Sequence, residues 1–272
     1  MSLQIHNSVM FSGRQLREVF HFCFLERLLK MADPNLFVLK GGVNLRFFFR
    51  SPRYSEDMDL DVLGGAVPTL RKNGYKLLHD GAFHRTLRTY GISDIEINDP
   101  AKAKHTQTTQ RFRVRLVTSG GERLPSKVEF SRRILSDYGG ADSEGQNRVV
   151  DQIDTELARR YQRLSFRCQH YSGESAVIQK VLALAGRPVT QARDVFDLDI
   201  LQRGGFARGI QLQRSVGPQE CSLALQNLDA LTFDDFSGQV VEFLDEEHRR
   251  EYGNLAAWDA MVGQARDLLH VP

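Results

Sequence analysis

Apolar side chains recur along the first part of the chain at two different periods. Leu16, Phe20, Phe24, Leu28 and Met31, with Val19 and Cys23 beside them, keep helical spacing and predict an amphipathic helix over Gly13–Met31. The breaker Asp33-Pro34-Asn35 ends it. Residues 36–39 form a short apolar run of strand character, Gly41-Gly42 follows at once, and residues 43–49 predict a helix with a strongly apolar face. After the break at Ser51-Pro52 the period changes to two. Met58, Leu60 and Val62 alternate with Asp57, Asp59 and Asp61, the pattern of a half-buried strand. Residues 68–78 and 82–90 read as helices and Ile92–Ile97 as a strand.

Further on, Arg111, Arg113 and Arg115 alternate with Phe112, Val114 and Leu116, a strand with one basic face. Gly120-Gly121 predicts a hairpin turn that returns through residues 126–131, where Lys127-Val128-Glu129-Phe130 lies. The signals weaken beyond Gly139-Gly140 and return at Ser172. Ala176, Ile178, Val181, Leu182 and Ala185 then fit a helix closed by Gly186 and Pro188, and a second helix runs from about Gln191 to Gln202. The remainder is helix-rich without obvious strands. The expectation is an α+β fold, with residues 1–150 an α/β domain and residues 151–272 a helical one, the change falling between Ala141 and Ser172.

Composition adds limits. A chain of 272 residues with 41% hydrophobic and 26% charged residues has the profile of a soluble globular protein. It holds no apolar run of about eighteen residues, so no membrane span is expected. The start, MSLQIHNSVM, lacks the basic and apolar regions of a signal peptide. Cys23, Cys168 and Cys221 are too isolated for a zinc spacing or a disulfide framework. Together these features predict a cytoplasmic protein. The formal net charge of +2 is unevenly spread. Residues 101–134 carry nine Lys or Arg against Glu122 and Glu129, whereas residues 227–272 carry ten acids against Arg249, Arg250 and Arg266. One surface suited to a polyanion fits this distribution, and so do two ordinary solvated faces.

Four segments carry candidate chemistry. Lys40-Gly41-Gly42 sits at a strand-to-helix junction, where glycines let a phosphate approach free N–H groups, though Gly-Gly also serves plain turns. Strand alternation puts Asp57, Asp59 and Asp61 on one face, a crowd of like charges that a divalent cation or solvent must relieve. A calcium loop does not fit, because Val62 stands where its turn needs glycine. Glu129 completes a carboxylate triad if its strand lies beside that of Asp57 and Asp59, and is a surface residue otherwise. Lys180 precedes Arg193-Asp194-Val195-Phe196-Asp197, in which helical spacing also allows an Arg193–Asp197 ion pair.

The order of these segments resembles the minimal core of the DNA polymerase β superfamily of nucleotidyltransferases, and within it the AbiEii/AbiGii toxin family. That family typically reads K-G-G, an apolar helix with L-R, then R-x-S-x-D-x-D. This chain has Lys40-Gly41-Gly42, Leu45-Arg46 and Arg53-Tyr54-Ser55-Glu56-Asp57-Met58-Asp59 in that order. The K-x-[DE] strand matches Lys127-Val128-Glu129, and the later block matches Lys180 with Arg193-Asp194-Val195-Phe196-Asp197-Leu198. Fourteen residues separate Gly42 from Asp57, slightly more than is usual in the superfamily.

The resemblance implies a polymerase β-type mixed sheet with flanking helices, followed by a helical region that completes a nucleotide cleft. It implies that Asp57, Asp59 and Glu129 are catalytic and hold Mg²⁺ or Mn²⁺. Gly41, Gly42, Arg53, Ser55, Lys180, Arg193 and Asp194 would bind a nucleoside triphosphate. The activity implied is nucleotide transfer by a toxin of a toxin–antitoxin or phage-defence pair, with a cognate antitoxin or its DNA-binding regulator as partner. An RNA acceptor, above all a transfer RNA 3′ end, would lie along Arg111, Arg113 and Arg115. A protein hydroxyl as acceptor and a nucleotide-binding regulatory module with little turnover are the alternatives.

Overall fold

The computed structural model describes residues 11–99, 105–132 and 148–270. Residues 1–10, Lys102 and Lys104 of the basic stretch, and Gly139 to Ala141 lie outside them. The helix α1, Gly13–Met31, is started by a capping box in which Ser12 and Gln15 satisfy each other's backbone N–H groups. Its surface differs from the amphipathic expectation. Every residue from Glu18 to Leu25 is buried, because α1 is packed between the sheet and neighbouring helices. Burial pushes the His21 imidazole down to about 3, Arg17 adding to the effect, and His21 meets Ser126 Oγ at 3.0 Å.

The strands are β1 (Phe37–Lys40), β2 (Asp57–Val62), β3 (Ile92–Ile97), β4 (Thr109–Thr118), β5 (Arg123–Arg132), β6 (Arg148–Gln152) and β7 (Arg167–Tyr171). They form one seven-stranded sheet in the order β3-β4-β5-β2-β1-β7-β6. It is mixed: β2 runs parallel to β5 and β1 parallel to β7, while the other neighbours are antiparallel. The helices α2 (Gly41–Phe48), α3 (Val67–Leu78), α4 (Gly81–Arg88) and α5 (Thr155–Arg160) flank it. After β7 the chain is helical, through α6 (Gly173–Gly186), α7 (Ala192–Arg203), α8 (Leu212–Ser215), α9 (Pro218–Asp229), α10 (Phe233–Gln239), α11 (Glu246–Tyr252) and α12 (Leu255–His270). None of the described helices is long and apolar enough to cross a membrane.

β6 and β7 fall where the sequence pattern is weakest. β7 reads Arg-Cys-Gln-His-Tyr, and its inward positions are Cys168 and His170 rather than branched aliphatics. β6 is an edge strand with no buried residue, so nothing in it selects for apolar side chains. The sheet therefore continues to Tyr171, past the division at residue 150. The two buried apolar clusters part between Cys168 and Ala176. Helix α2 serves both, with Val43 and Phe47 in the sheet cluster and Leu45 in the helical one.

Polar groups buried along this seam are paired. Arg46, 9% exposed, donates to the Glu18 carboxylate, which is 3% exposed, and to Ser51 O at 2.8 Å, while its guanidinium lies 4.3 Å from the Tyr54 ring centre. The Tyr161 hydroxyl also donates to Glu18. Farther along, Arg14 of α1 and Arg249 of α11 both donate to the carbonyls of Glu242 and Leu244, and Phe243 O accepts from Tyr54 N at 3.0 Å. Removing one partner of a buried pair strands the other charge. Glu18→Ala is therefore expected to lower stability by about 3–5 kcal/mol in urea unfolding. The Glu18→Leu/Arg46→Met double variant should recover most of that loss. Equal stability of Glu18→Ala and wild type would show that the pair is not needed.

Candidate active site

The strand β1 delivers Lys40 to the start of α2, where the N-cap side chain makes no hydrogen bond to the first turn, a helix start suited to an anion. Gly41 takes φ +68°, a conformation other residues adopt with strain, and a Cβ there would stand 3.2 Å from Asp59 Oδ2. A Cβ on Gly42 would stand 2.9 Å from Ser55 Oγ and 3.0 Å from Arg53 Nη2. The two glycines thus keep open a small space bordered by Asp59, Ser55 and Arg53. Ser55 is itself fixed by donating to Asp57 O at 2.9 Å.

The parallel register sets Asp59 opposite Glu129 and Asp57 opposite Lys127. Lys127 Nζ lies 3.1 Å from Asp57 Oδ2 and 4.0 Å from Glu129 Oε2, and Arg111 Nε lies 2.6 Å from Glu129 Oε2. Asp61, on the same face, is fully buried and committed elsewhere, to Lys40 at 2.5 Å and the Tyr171 hydroxyl at 2.7 Å. Burial raises the Asp59 carboxyl above its ordinary range, against the pull of Lys127 and Lys40, and Glu129 and Asp57 push it further up. Asp57, Asp59 and Glu129 are an all-oxygen donor set on adjacent strands, which fits a hard divalent cation. Asp57 and Glu129 are paired with cations of the chain itself, and no three His, Cys, Asp or Glu among the described residues are already drawn together around a metal-sized space.

A second charged group lies where the helical half meets this corner. Lys180 of α6 is 8% exposed and reaches Asp194 Oδ1 at 2.9 Å and Asp197 Oδ2 at 2.5 Å, both on α7. Arg53 reaches Asp197 at 3.2 Å and Arg187 reaches Asp194 at 3.0 Å. Burial pushes the Asp197 carboxyl up, but Arg53 and Lys180 outweigh it and hold the group below its usual range. Asp197 thus pairs with Arg53 and Lys180, not with Arg193 as helical spacing allowed. Arg193 is half-buried and has no ion-pair partner among the described residues. The structure joins Gly42, Ser55, Arg53, Asp197, Lys180 and Asp194 into one connected set, and leaves Arg193 outside it.

The basic face of β4 adjoins the carboxylates. A groove of about 550 Å³ is lined by Asp57, Lys127, Arg111, Arg113, Arg115 and Glu96, among others. Arg115 lies 3.8 Å from Glu96, and the exposed Arg113 side chain has no partner among the described residues. The acids met by this face are Glu129 and Glu96, so the excess charge of the C-terminal region is not what balances it.

Comparison with known proteins gives the chain its family. The sequence matches the family described as nucleotidyl transferase AbiEii toxin, type IV toxin–antitoxin system, over residues 23–257. The chain belongs to the AbiEii family. It is accordingly an enzyme of the nucleotidyltransferase class. No curated protein matches it. Among solved structures it is similar to JHP933 from Helicobacter pylori, with a TM-score of 0.54 and 20% identity, over 96% of this chain and 93% of that one. Weaker likenesses are to a protein described as a candidate nucleotidyltransferase from H. pylori (TM-score 0.45, 20% identity, 90% and 94% covered) and a nucleotidyltransferase-like antigen from Paracoccidioides brasiliensis (0.44, 15%, 91% and 92%). The likeness to JHP933 supports the shared fold.

Sequence reasoning passed over Lys127 and Arg187 as members of the site. Lys127 had a readable signal, since it shares a strand face with Glu129 two positions on. Arg187 had none, because it follows the end of α6 and meets Asp194 only through the packing of α6 on α7. Lys180, expected to serve nucleotide binding and not folding, is also the buried counterion of two carboxylates. A carboxyl whose folded pKa is raised opposes folding above that pKa, and the penalty disappears below the unfolded value. Asp59→Asn should therefore abolish transfer yet hold or raise the Tm of the metal-free enzyme at neutral pH, with the gain shrinking as pH falls toward about 4. Calorimetry across that range beside a transfer assay checks both parts. A lower Tm at neutral pH, or retained transfer, contradicts the assignment.

Proposed function

We propose that this AbiEii-family nucleotidyltransferase moves a nucleotide from a nucleoside triphosphate to an RNA hydroxyl, acting as the toxin beside a cognate antitoxin. The observation that carries the RNA acceptor is the groove running from Asp57 along Arg111, Arg113 and Arg115. On a strand, alternate side chains are about 6–7 Å apart, close to the phosphate repeat of a nucleic-acid strand. Arg111 is already engaged by Glu129, whereas Arg113 and Arg115 are exposed, Arg115 with only a 3.8 Å contact to Glu96, and are placed to track a backbone. Among RNAs the 3′ end of a transfer RNA is the acceptor we favour, following the family resemblance.

In this reading the uncapped start of α2 and the Ser55 hydroxyl receive phosphate oxygens in the space left by Gly41 and Gly42. Arg53 and Lys180, held by Asp197 and Asp194, add positive charge without rotational freedom to lose. Asp57, Asp59 and Glu129 would hold one or two Mg²⁺ or Mn²⁺ ions, which when bound supply charge neutralisation at the leaving pyrophosphate. The groove orients the acceptor so that its hydroxyl meets the α-phosphorus beside those carboxylates.

Arg113→Gln/Arg115→Gln tests the acceptor. The double variant should label RNA poorly from labelled triphosphates and total RNA, and its log–log dependence of RNA affinity on salt should flatten by roughly 1–2 units. Triphosphate affinity should stay near that of wild type. A variant that labels RNA at the wild-type rate removes this groove as the acceptor site, and labelling of a protein in place of RNA overturns the acceptor class.

A further inference from the structure

We infer that Lys127 makes metal binding conditional on the triphosphate: in the free enzyme its ammonium occupies the carboxylate site, and the incoming triphosphate draws it away. This rests on the reading of Asp57, Asp59 and Glu129 as metal ligands. The strand register places Lys127 beside Asp57 and two positions from Glu129, so its side chain lies on the ligand face by construction. Its Nζ is 3.1 Å from Asp57 Oδ2 and 4.0 Å from Glu129 Oε2, while Arg111 holds the same Glu129 oxygen at 2.6 Å. Three carboxylates therefore face two cations supplied by the chain, and the net charge left to attract a divalent ion is small. An ion settling between Asp57 and Glu129 would also meet the ammonium as a like charge at contact distance.

The two cations differ in mobility. Arg111 binds through a planar fork, whereas Lys127 is a point charge on a flexible four-carbon stem, partly exposed and opening into the groove. It can turn from Asp57 toward phosphate oxygens without any backbone movement. A triphosphate seated at Gly42 and Ser55 brings several negative charges next to the triad. It gives Lys127 a new partner and frees Asp57 for the metal. Metal and triphosphate then bind with positive coupling, each raising the affinity of the other by the same factor.

The test is Mn²⁺ binding, read from the electron paramagnetic resonance of free Mn²⁺. Wild type, Lys127→Met and the charge-preserving Lys127→Arg are compared with and without pooled α,β-methylene ribonucleoside triphosphates, after subtracting Mn²⁺ bound by the analogues alone. Without analogue, Lys127→Met should bind Mn²⁺ at least tenfold more tightly than wild type, and Lys127→Arg should not. The gain in Mn²⁺ affinity on adding analogue should be at least tenfold smaller in Lys127→Met than in wild type. Lys127→Gln provides the same comparison if the Met variant misfolds. Equal Mn²⁺ affinity of wild type and the neutral variants without analogue overturns this proposal and leaves the metal site standing. Absence of Mn²⁺ binding in every protein, with or without analogue, overturns both.

Discussion

The parallel pairing of β2 with β5 is the constraint on which the site depends. Its register brings Asp59 and Glu129 side by side and turns Asp57 toward Lys127. A slip of one residue would send these carboxylates into the core and expose Met58 and Leu60, so the burial of the opposite face fixes the chemistry of this one. With β5 on one side of β2, β1 fills the other and sets Lys40 opposite Asp59. The Gly41-Gly42 corner then falls at the edge of the carboxylate cluster with no further adjustment of the chain.

The second requirement is that the helical half be fixed relative to this sheet. Apolar contact does part of it through α2, whose side chains divide between the two clusters. Buried charge does the rest. Arg53, from the stretch before β2, ends on Asp197 of α7, which Lys180 of α6 also holds. Such an arrangement is costly to desolvate and is weak evidence for stability, but it is directional in a way apolar packing is not. It specifies which oxygen meets which nitrogen at the junction of the two halves.

Much of this was legible in the sequence because it rests on local periodicity. The two-residue alternation of Asp57 to Val62 and of Arg111 to Leu116 gave the strands and the faces their charges occupy. The glycine pair marked the corner. What stayed hidden depends on pairing at a distance. Nothing in the residues of β6 and β7 separates them from a loop, since β7 is recognised only by its place beside β1. Helical spacing offers Asp197 a partner in Arg193, four residues away, while the tertiary fold supplies Arg53 and Lys180. The duty of Arg46 was likewise invisible, as its partner Glu18 lies on a different helix.

The stretch that carries Arg53, Ser55 and Asp57 has no regular secondary structure before β2, yet it is fastened residue by residue. Arg53 is tied to α7, the Tyr54 backbone to Phe243 and the Tyr54 hydroxyl to Arg160 at 2.9 Å. A segment held in this way makes a poor hinge. Swinging α6 and α7 outward as a lid would part Asp197 from Arg53 and break a buried ion pair. Movement of exposed side chains in the groove carries no such cost, and it runs in picoseconds to nanoseconds rather than on the microsecond scale of domain closure.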